Sequence, residues 1–109
     1  MQAYVGYGSV KSTSYTATIV TLTVAESGTY TVSWAGWRQS SSGTNGSRLY
    51  INGTAYGSAQ TSFSAGSSGQ LITLTDVALN KDDVLTIYAR SRTTSYAMTV
   101  GNLIIMKTA

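Results

Sequence analysis

Six aromatic and arginine side chains carry the chemistry that this sequence most strongly suggests. They occur in adjacent or alternating pairs along the chain, in the segments WR, RLY and YAR. An aromatic ring offers an apolar face to the C–H face of a sugar, and a guanidinium offers a fixed fork of donors to hydroxyl or carboxylate groups. We therefore predict a ligand-binding set made of Trp37, Arg38, Arg48, Tyr50, Tyr88 and Arg90.

The same residue types suit two other roles, and the sequence leaves both open. Tyrosine and arginine pair across neighbouring strands, and Trp, Tyr and Arg are enriched at interfaces between proteins. Cross-strand packing or a subunit interface would therefore explain the set without a ligand. Arg92 and Tyr96, which flank the polar segment SRTTS, extend the same pattern.

Catalytic and metal chemistry have little to build on. The chain contains no histidine and no cysteine, which excludes Ser-His-Asp and Cys-His sites, thiolate metal sites and disulfides. Its carboxylate side chains are Glu26, Asp76, Asp82 and Asp83, and no acid pair suited to glycoside hydrolysis is evident. Asp82 and Asp83 suit calcium, but the ligand spacing of a calcium loop is missing, which favours a turn role. We predict no enzyme activity, no metal site and no cofactor.

Two Asn-Gly dipeptides, which begin at Asn45 and Asn52, indicate turns, because both residue types tolerate positive φ. Each also begins the acceptor pattern for N-glycosylation. We interpret both asparagines as turn formers.

Composition favours a single domain, residues 1–109, built of strands. The chain has 109 residues, which suits one domain, and it is rich in serine (16), threonine (17), glycine (11) and tyrosine (8). A net charge of +3 without a basic stripe does not suggest a nucleic-acid partner. No apolar run reaches the ~20 residues needed to cross a bilayer, and no signal peptide is evident.

Side chains alternate with a period of two through most of the chain, which predicts strands. In residues 29–34, Tyr30, Val32 and Trp34 share one face, and we expect them in the core. Residues 37–47 and 62–70 are predicted loops, and residues 1–12 form either an edge strand or a tether. About eight strands at roughly ten-residue spacing indicate an antiparallel, jelly-roll-like β-sandwich. The strands are predicted at residues 16–24, 29–34, 48–51, 54–60, 70–79, 84–90 and 96–107.

The side of the sheet that Trp37 occupies depends on Gly36. A regular strand would turn Trp37 away from Trp34, onto the face of the outward tyrosines and arginines, whereas a bulge at Gly36 would turn it inward. Gly101-Asn102 likewise predicts a bulge or kink in the last strand.

Four segments in order, SGTYTVSW, LYINGTAYG, LTDVALNKDDVLTIYAR and VGNLIIMK, resemble the jelly-roll domains of the complement and tumour-necrosis-factor superfamily. They are more similar still to small β-sandwich modules of bacteriophage tail fibres and other virion-surface proteins. The match covers residues 17–109, with Asp82-Asp83 where such families often have Gly-Asp. The resemblance implies a module made in the host cytoplasm and displayed on a virion surface or tail, and it transfers no catalytic residue.

Two functions from different classes follow as expectations. The first is a binding module that contacts a bacterial surface glycan or receptor, with Trp37, Tyr50 and Tyr88 exposed in one shallow groove. The second is a structural or decoration domain that associates with copies of itself, a trimer included, or docks on another virion protein. Neither nucleic acid nor a membrane span is expected.

Overall fold

Alternating sequence patterns become strands along nearly the whole described chain. The computed structural model describes residues 1–38, 45–61 and 70–109, and these residues form nine strands and no helix. The strands are β1 (Gln2–Val10), β2 (Thr16–Thr23), β3 (Gly28–Arg38), β4 (Gly46–Ile51), β5 (Thr54–Ala55), β6 (Gln60–Thr61), β7 (Gln70–Leu79), β8 (Val84–Arg90) and β9 (Met98–Lys107).

The strands form two antiparallel sheets that pack face to face. The first sheet has the order β1-β9-β3-β7, and the second has the order β2-β8-β4-β5, with β6 also paired to β4. Successive long strands alternate between the two sheets, which is the strand order of a jelly roll. The predicted all-β, jelly-roll-like sandwich is therefore confirmed. β1 pairs with β9, so residues 2–10 form an edge strand of the first sheet.

The core lies between the inner faces of the two sheets, where apolar side chains from both are removed from water. Tyr30, Val32 and Trp34 of β3 were expected there, and none is more than 4% exposed. Trp34 donates its indole N–H to the hydroxyl oxygen of Ser47 on β4, at 2.9 Å. This hydrogen bond joins the two sheets through the core.

A β-bulge in β7 settles which of its side chains face inward. The register of β7 against β3 shifts near Asp76, whose φ is 57°. Ile72 and Leu74 precede the shift, Val77 and Leu79 follow it, and all four belong to the core or pack against it. The extra residue changes the parity of the strand. This explains why the alternation of residues 70–79 did not show which face of the strand points inward.

The bulge predicted at Gly101-Asn102 is confirmed. The register between β3 and β9 shifts at this point, and Asn102 has a φ of 53°. Gly101 lies beneath the ring of Tyr7, where an added Cβ would overlap the ring and approach the Gly6 carbonyl oxygen to 2.5 Å. The absence of a side chain at Gly101 therefore lets the Tyr7 ring approach β9 closely.

The hairpin predicted at Asn52-Gly53 is also confirmed, with φ values of 52° and 81°. The Asn52 side chain donates to Asp83 Oδ1 and accepts from the amide of Val84, both at 2.9 Å. Asp83 Oδ2 also accepts from the amide of Asn80 at 2.8 Å. These bonds, chiefly the one from Asn80, hold the pKa of Asp83 below its ordinary range. Asp83 thus has the turn role that the sequence favoured over calcium binding.

Two predicted boundaries need correction. The loop expected over residues 37–47 is too long at both ends, because β3 runs through Trp37 to Arg38 and β4 already begins at Gly46. β9 pairs with the end of β3, and this long partner extends the strand past its last alternating apolar residue. Of the edge strand expected over residues 54–60, only the two residues of β5 and the first residue of β6 are in strands. Residues 39–44 and 62–69, which fall in predicted loops, lie outside the described residues.

Candidate ligand-binding surface

Four of the six predicted binding side chains lie on the outer face of the second sheet. Leu49 in β4 and Ile87 in β8 are buried in the core. Strand alternation therefore turns their neighbours Arg48, Tyr50, Tyr88 and Arg90 outward, where they are half-buried. β4 and β8 pair side by side, so the outer face brings the four side chains together.

The register between β4 and β8 sets the contacts within this group. Arg48 lies directly opposite Tyr88, which makes Tyr50 and Tyr88 diagonal neighbours, and Arg48 and Arg90 as well. The rings of Tyr50 and Tyr88 stack with centroids 3.6 Å apart and planes 6° from parallel. Cross-strand packing, one of the open alternatives, is thus present, and it also holds both rings in one orientation.

Tyr15 joins this group, although the sequence analysis did not single it out. The guanidinium carbon of Arg90 lies 5.7 Å from the centroid of the Tyr15 ring, within cation–π range. The sequence holds no local signal for this contact, which follows from the pairing of β2 with β8, where Ala17 lies opposite Tyr88. We call Tyr15, Arg48, Tyr50, Tyr88 and Arg90 the tyrosine–arginine surface.

Burial and charge act in opposite directions on the Tyr15 phenol. Burial raises its pKa, while the positive charges of Arg90 and Arg48 lower it, and burial has the larger effect. The phenol therefore keeps its proton at neutral pH and remains able to donate a hydrogen bond.

Two polar atoms of the tyrosine–arginine surface are buried without a hydrogen-bond partner among the described residues, namely Tyr15 Oη and Arg48 Nε. Arg48 donates through Nη2 to the carbonyl oxygen of Gly57, which anchors one end of its guanidinium. Buried polar atoms in proteins are nearly always paired, so these two are exceptions, and their burial keeps them out of reach of a molecule bound at the surface.

Trp37 lies on the opposite side of the molecule, on the outer face of the first sheet. Alternation continues through Gly36 without a bulge, so Trp37 shares its face with Ala35 and points away from Trp34. Its ring contacts Tyr7 edge-on, at 5.1 Å between centroids and 85° between planes. The single groove expected for Trp37, Tyr50 and Tyr88 is therefore wrong, because two different sheets carry these residues. Arg38 ends β3, and its side chain lies outside the described residues.

The outer face of the first sheet has a different chemistry from that of the second. Its cross-strand pairs along β1, β9, β3 and β7 bring together alanines, serines and threonines with larger apolar and aromatic side chains, and the bulge of β7 adds the exposed residue Asp76. Leu71, Tyr7 and Met106 are 70%, 57% and 54% exposed on this face. We call Tyr7, Trp37, Leu71, Ile104 and Met106 the apolar face.

Within the described ranges, no three His, Cys, Asp or Glu side chains form a group that would hold a metal ion. The same ranges contain no helix long and apolar enough to cross a bilayer.

The glycosylation-type asparagines both have structural partners. Asn45 is buried and accepts a hydrogen bond from the amide of Arg92 at 3.1 Å, and Asn52 is held in its turn by Asp83 and Val84.

Comparison with known protein families finds no family model that matches this chain, and comparison with curated proteins finds no match either.

Proposed function

We propose that this chain is a non-catalytic module of a bacteriophage virion surface or tail that binds a carbohydrate or receptor at the bacterial surface. The tyrosine–arginine surface carries the proposal, because it combines a fixed pair of stacked rings with two guanidinium groups on one sheet face. Sugars are recognised by this combination of apolar ring faces and directed donors. The virion location is supported by the resemblance of the four strand segments and by the jelly-roll strand order.

The absence of catalysis is proposed from the residue types. The chain has no histidine or cysteine, and its carboxylates do not belong to the tyrosine–arginine surface. Glu26 lies between β2 and β3 and forms an ion pair with Lys107 at 2.7 Å, and the two carboxylate oxygens of Asp83 accept bonds in its turn. The surface therefore offers donors and ring faces but no general base.

The test is binding of the full chain to an array of neutral and acidic bacterial polysaccharides. We expect Tyr88→Ala to lose at least about tenfold in affinity, because it removes one ring of the stacked pair. Tyr96→Ala is the matched control, since Tyr96 is exposed and lies outside the surface. Melting curves of both variants show whether they remain folded. Equal affinity of the two folded variants, or no bound glycan at all, would contradict the proposal.

A second function, self-association or docking on another virion protein, is favoured by the apolar face. Exposed apolar patches larger than scattered single residues often mark protein contacts, and this face carries two aromatic rings and three further apolar side chains. A homo-oligomer, a trimer included, would cover it while leaving the tyrosine–arginine surface of the other sheet open. The two functions are therefore compatible in one molecule.

Light scattering after size-exclusion chromatography at micromolar concentration tests this second function. We expect an oligomer that Leu71→Glu dissociates, because the new charge would be buried in the contact. Ile19→Glu is the matched control, since Ile19 is 64% exposed in β2 of the second sheet. A monomeric unmodified chain, or equal dissociation by both variants, would argue against association through the apolar face.

A further inference from the structure

We infer that the outer edge of β7, residues 71–75, pairs with the same edge of a second copy of this chain. The contact joins the four-stranded first sheets of two molecules into one continuous sheet. The inference goes beyond both proposed functions, because the contact is a strand edge and neither the tyrosine–arginine surface nor the centre of the apolar face. Addition of a strand to an open sheet edge is a recurring mode of protein association.

The first observation is a regular strand edge. β7 is the last strand of its sheet and pairs on one side only, with β3. Residues 70–74 keep an unbroken register with β3, and the bulge at Asp76 follows. Among the described residues, none hydrogen-bonds to the other side of residues 71–75, where alternate amide and carbonyl groups point outward. Such a row of backbone groups is a template for another strand.

The other sheet edges of the described chain are less suited to pairing. β1 is interrupted by a bulge between Tyr4 and Tyr7, and β2 by one between Ala17 and Thr21. β5 has only two residues. Bulges and short strands protect edges against pairing, whereas residues 71–75 carry neither a charge nor a proline.

The second observation is that this segment is complementary to itself. Two copies related by a twofold axis through Thr73 run antiparallel, as an isologous contact between edges requires. Thr73 then faces Thr73 of the second copy, Ile72 faces Leu74, and Leu71 faces Thr75. Threonine pairs and pairs of apolar side chains stabilise neighbouring strands, and no charge meets another.

The third observation is the apolar surface that this pairing would cover. Leu71 is 70% exposed, and Leu74 packs against the core but remains half-buried at the edge. Pairing brings the neighbouring copy against both side chains and joins the two apolar faces into one surface. The bulge at Asp76 ends the regular edge, so the pairing is short, and the dimer should form only at high protein concentration.

Disulfide cross-linking of single-cysteine variants tests the contact in the full chain, which has no cysteine of its own. Thr73→Cys would place two thiols on directly opposite residues, with Cα atoms about 4.5–5.5 Å apart, a separation that a disulfide spans. We expect this variant at about 0.1 mM to form a covalent dimer at least about tenfold faster than either control below, because pairing raises the local thiol concentration into the millimolar range.

Two controls separate the edge contact from other encounters. Ala78→Cys lies on the same strand and is also exposed, but at about 3.3 Å per residue its two copies would be about 33 Å apart. Met106→Cys lies on β9, in the middle of the apolar face. Five strand spacings, about 24 Å, would separate its two copies in the edge dimer, whereas association through the apolar face would bring them closer.

Charged variants test the twofold axis by light scattering. Thr73→Lys and Thr73→Glu each place two like charges opposite one another, so each alone should be a monomer. An equimolar mixture should form dimers again, because lysine then faces glutamate. Since Thr73 is exposed, both variants should keep the melting temperature of the unmodified chain.

Each other outcome overturns the inference in an identifiable way. Equal rates for Thr73→Cys and Ala78→Cys would show random collision. Equal rates for Thr73→Cys and Met106→Cys would exclude the edge contact and support association through the apolar face. A monomeric unmodified chain, or a mixture of the charged variants that stays monomeric, overturns the twofold pairing. The proposed glycan binding, which the second sheet carries, is decided separately by the polysaccharide array.

Discussion

The hydrogen bond between Trp34 and Ser47 should contribute measurably to stability, and removing the serine hydroxyl tests this. Trp34 is 1% exposed and Ser47 is fully buried, and the indole N–H reaches Ser47 Oγ at 2.9 Å from the opposite sheet. Ser47 lies next to Arg48 in β4, so the bond also holds the strand that carries part of the tyrosine–arginine surface. Ser47→Ala would leave the indole N–H in the core without that acceptor.

The cost of Ser47→Ala follows from this burial. A buried donor that loses its acceptor destabilises a protein by about 1–3 kcal/mol, because water cannot reach it. In a Trp34→Phe background there is no indole N–H to leave unpaired, and the serine hydroxyl is itself without its donor. There the same serine replacement should cost less than about 0.5 kcal/mol or even stabilise the fold, so that most of the effect appears as coupling between the two sites.

Urea unfolding followed by far-UV circular dichroism measures all four members of this cycle. If the free energy of unfolding falls by about 2 kcal/mol per molar urea, a loss of about 2 kcal/mol in stability lowers the urea concentration at the unfolding midpoint by about 1 M. If Ser47→Ala lowers stability by the same amount in the unmodified chain and in the Trp34→Phe background, the hydrogen bond is not the cause. A loss below about 0.5 kcal/mol in the unmodified chain would refute the reasoning as well.

Three further outcomes follow from the described contacts. Gly101→Ala should destabilise the fold in urea unfolding, because its Cβ would overlap Tyr7, whereas Gly53→Ala adds no such contact and meets only the strain of positive φ. Asp83→Asn should reduce the decrease in the free energy of unfolding as the pH falls into the acid range. The folded pKa of Asp83 lies below its unfolded value, so its contribution is present above about pH 4 and is lost as the pH falls through the folded pKa. A variant that loses as much stability as the unmodified chain between pH 7 and pH 3 would contradict this. Lys107→Met should lower stability at neutral pH, because it removes the ion pair with Glu26. That pair raises the pKa of Lys107 and therefore stabilises the fold below the ordinary lysine pKa. Unchanged stability at pH 7 would show that the exposed pair contributes nothing measurable.

Most strand positions, and the inward residues of β3, β4 and β8, could be predicted from the sequence, because both follow from local alternation. Tyr30, Val32 and Trp34 were placed in the core on this ground alone, and the structure buries all three. The Asn52-Gly53 hairpin was predictable for a related reason, since a two-residue turn depends on the backbone freedom of its own residues.

The end of β3 was not predictable in this way. Pairing with β9 keeps Trp37 in the strand even though the local sequence is polar and glycine-rich from that point. Only the partner strand, distant in the chain, supplies the hydrogen bonds that extend it.

The sequence by itself therefore determined that Tyr50 and Tyr88 face outward, but only the tertiary structure decided which outward residues meet. Parity is local, whereas the assignment of a strand to one sheet or the other depends on non-local pairing. That pairing carries Trp37 to the first sheet and brings Tyr15 beside Arg90 on the second. The group of residues that can bind one ligand is consequently a product of strand order, which no single segment of the chain encodes.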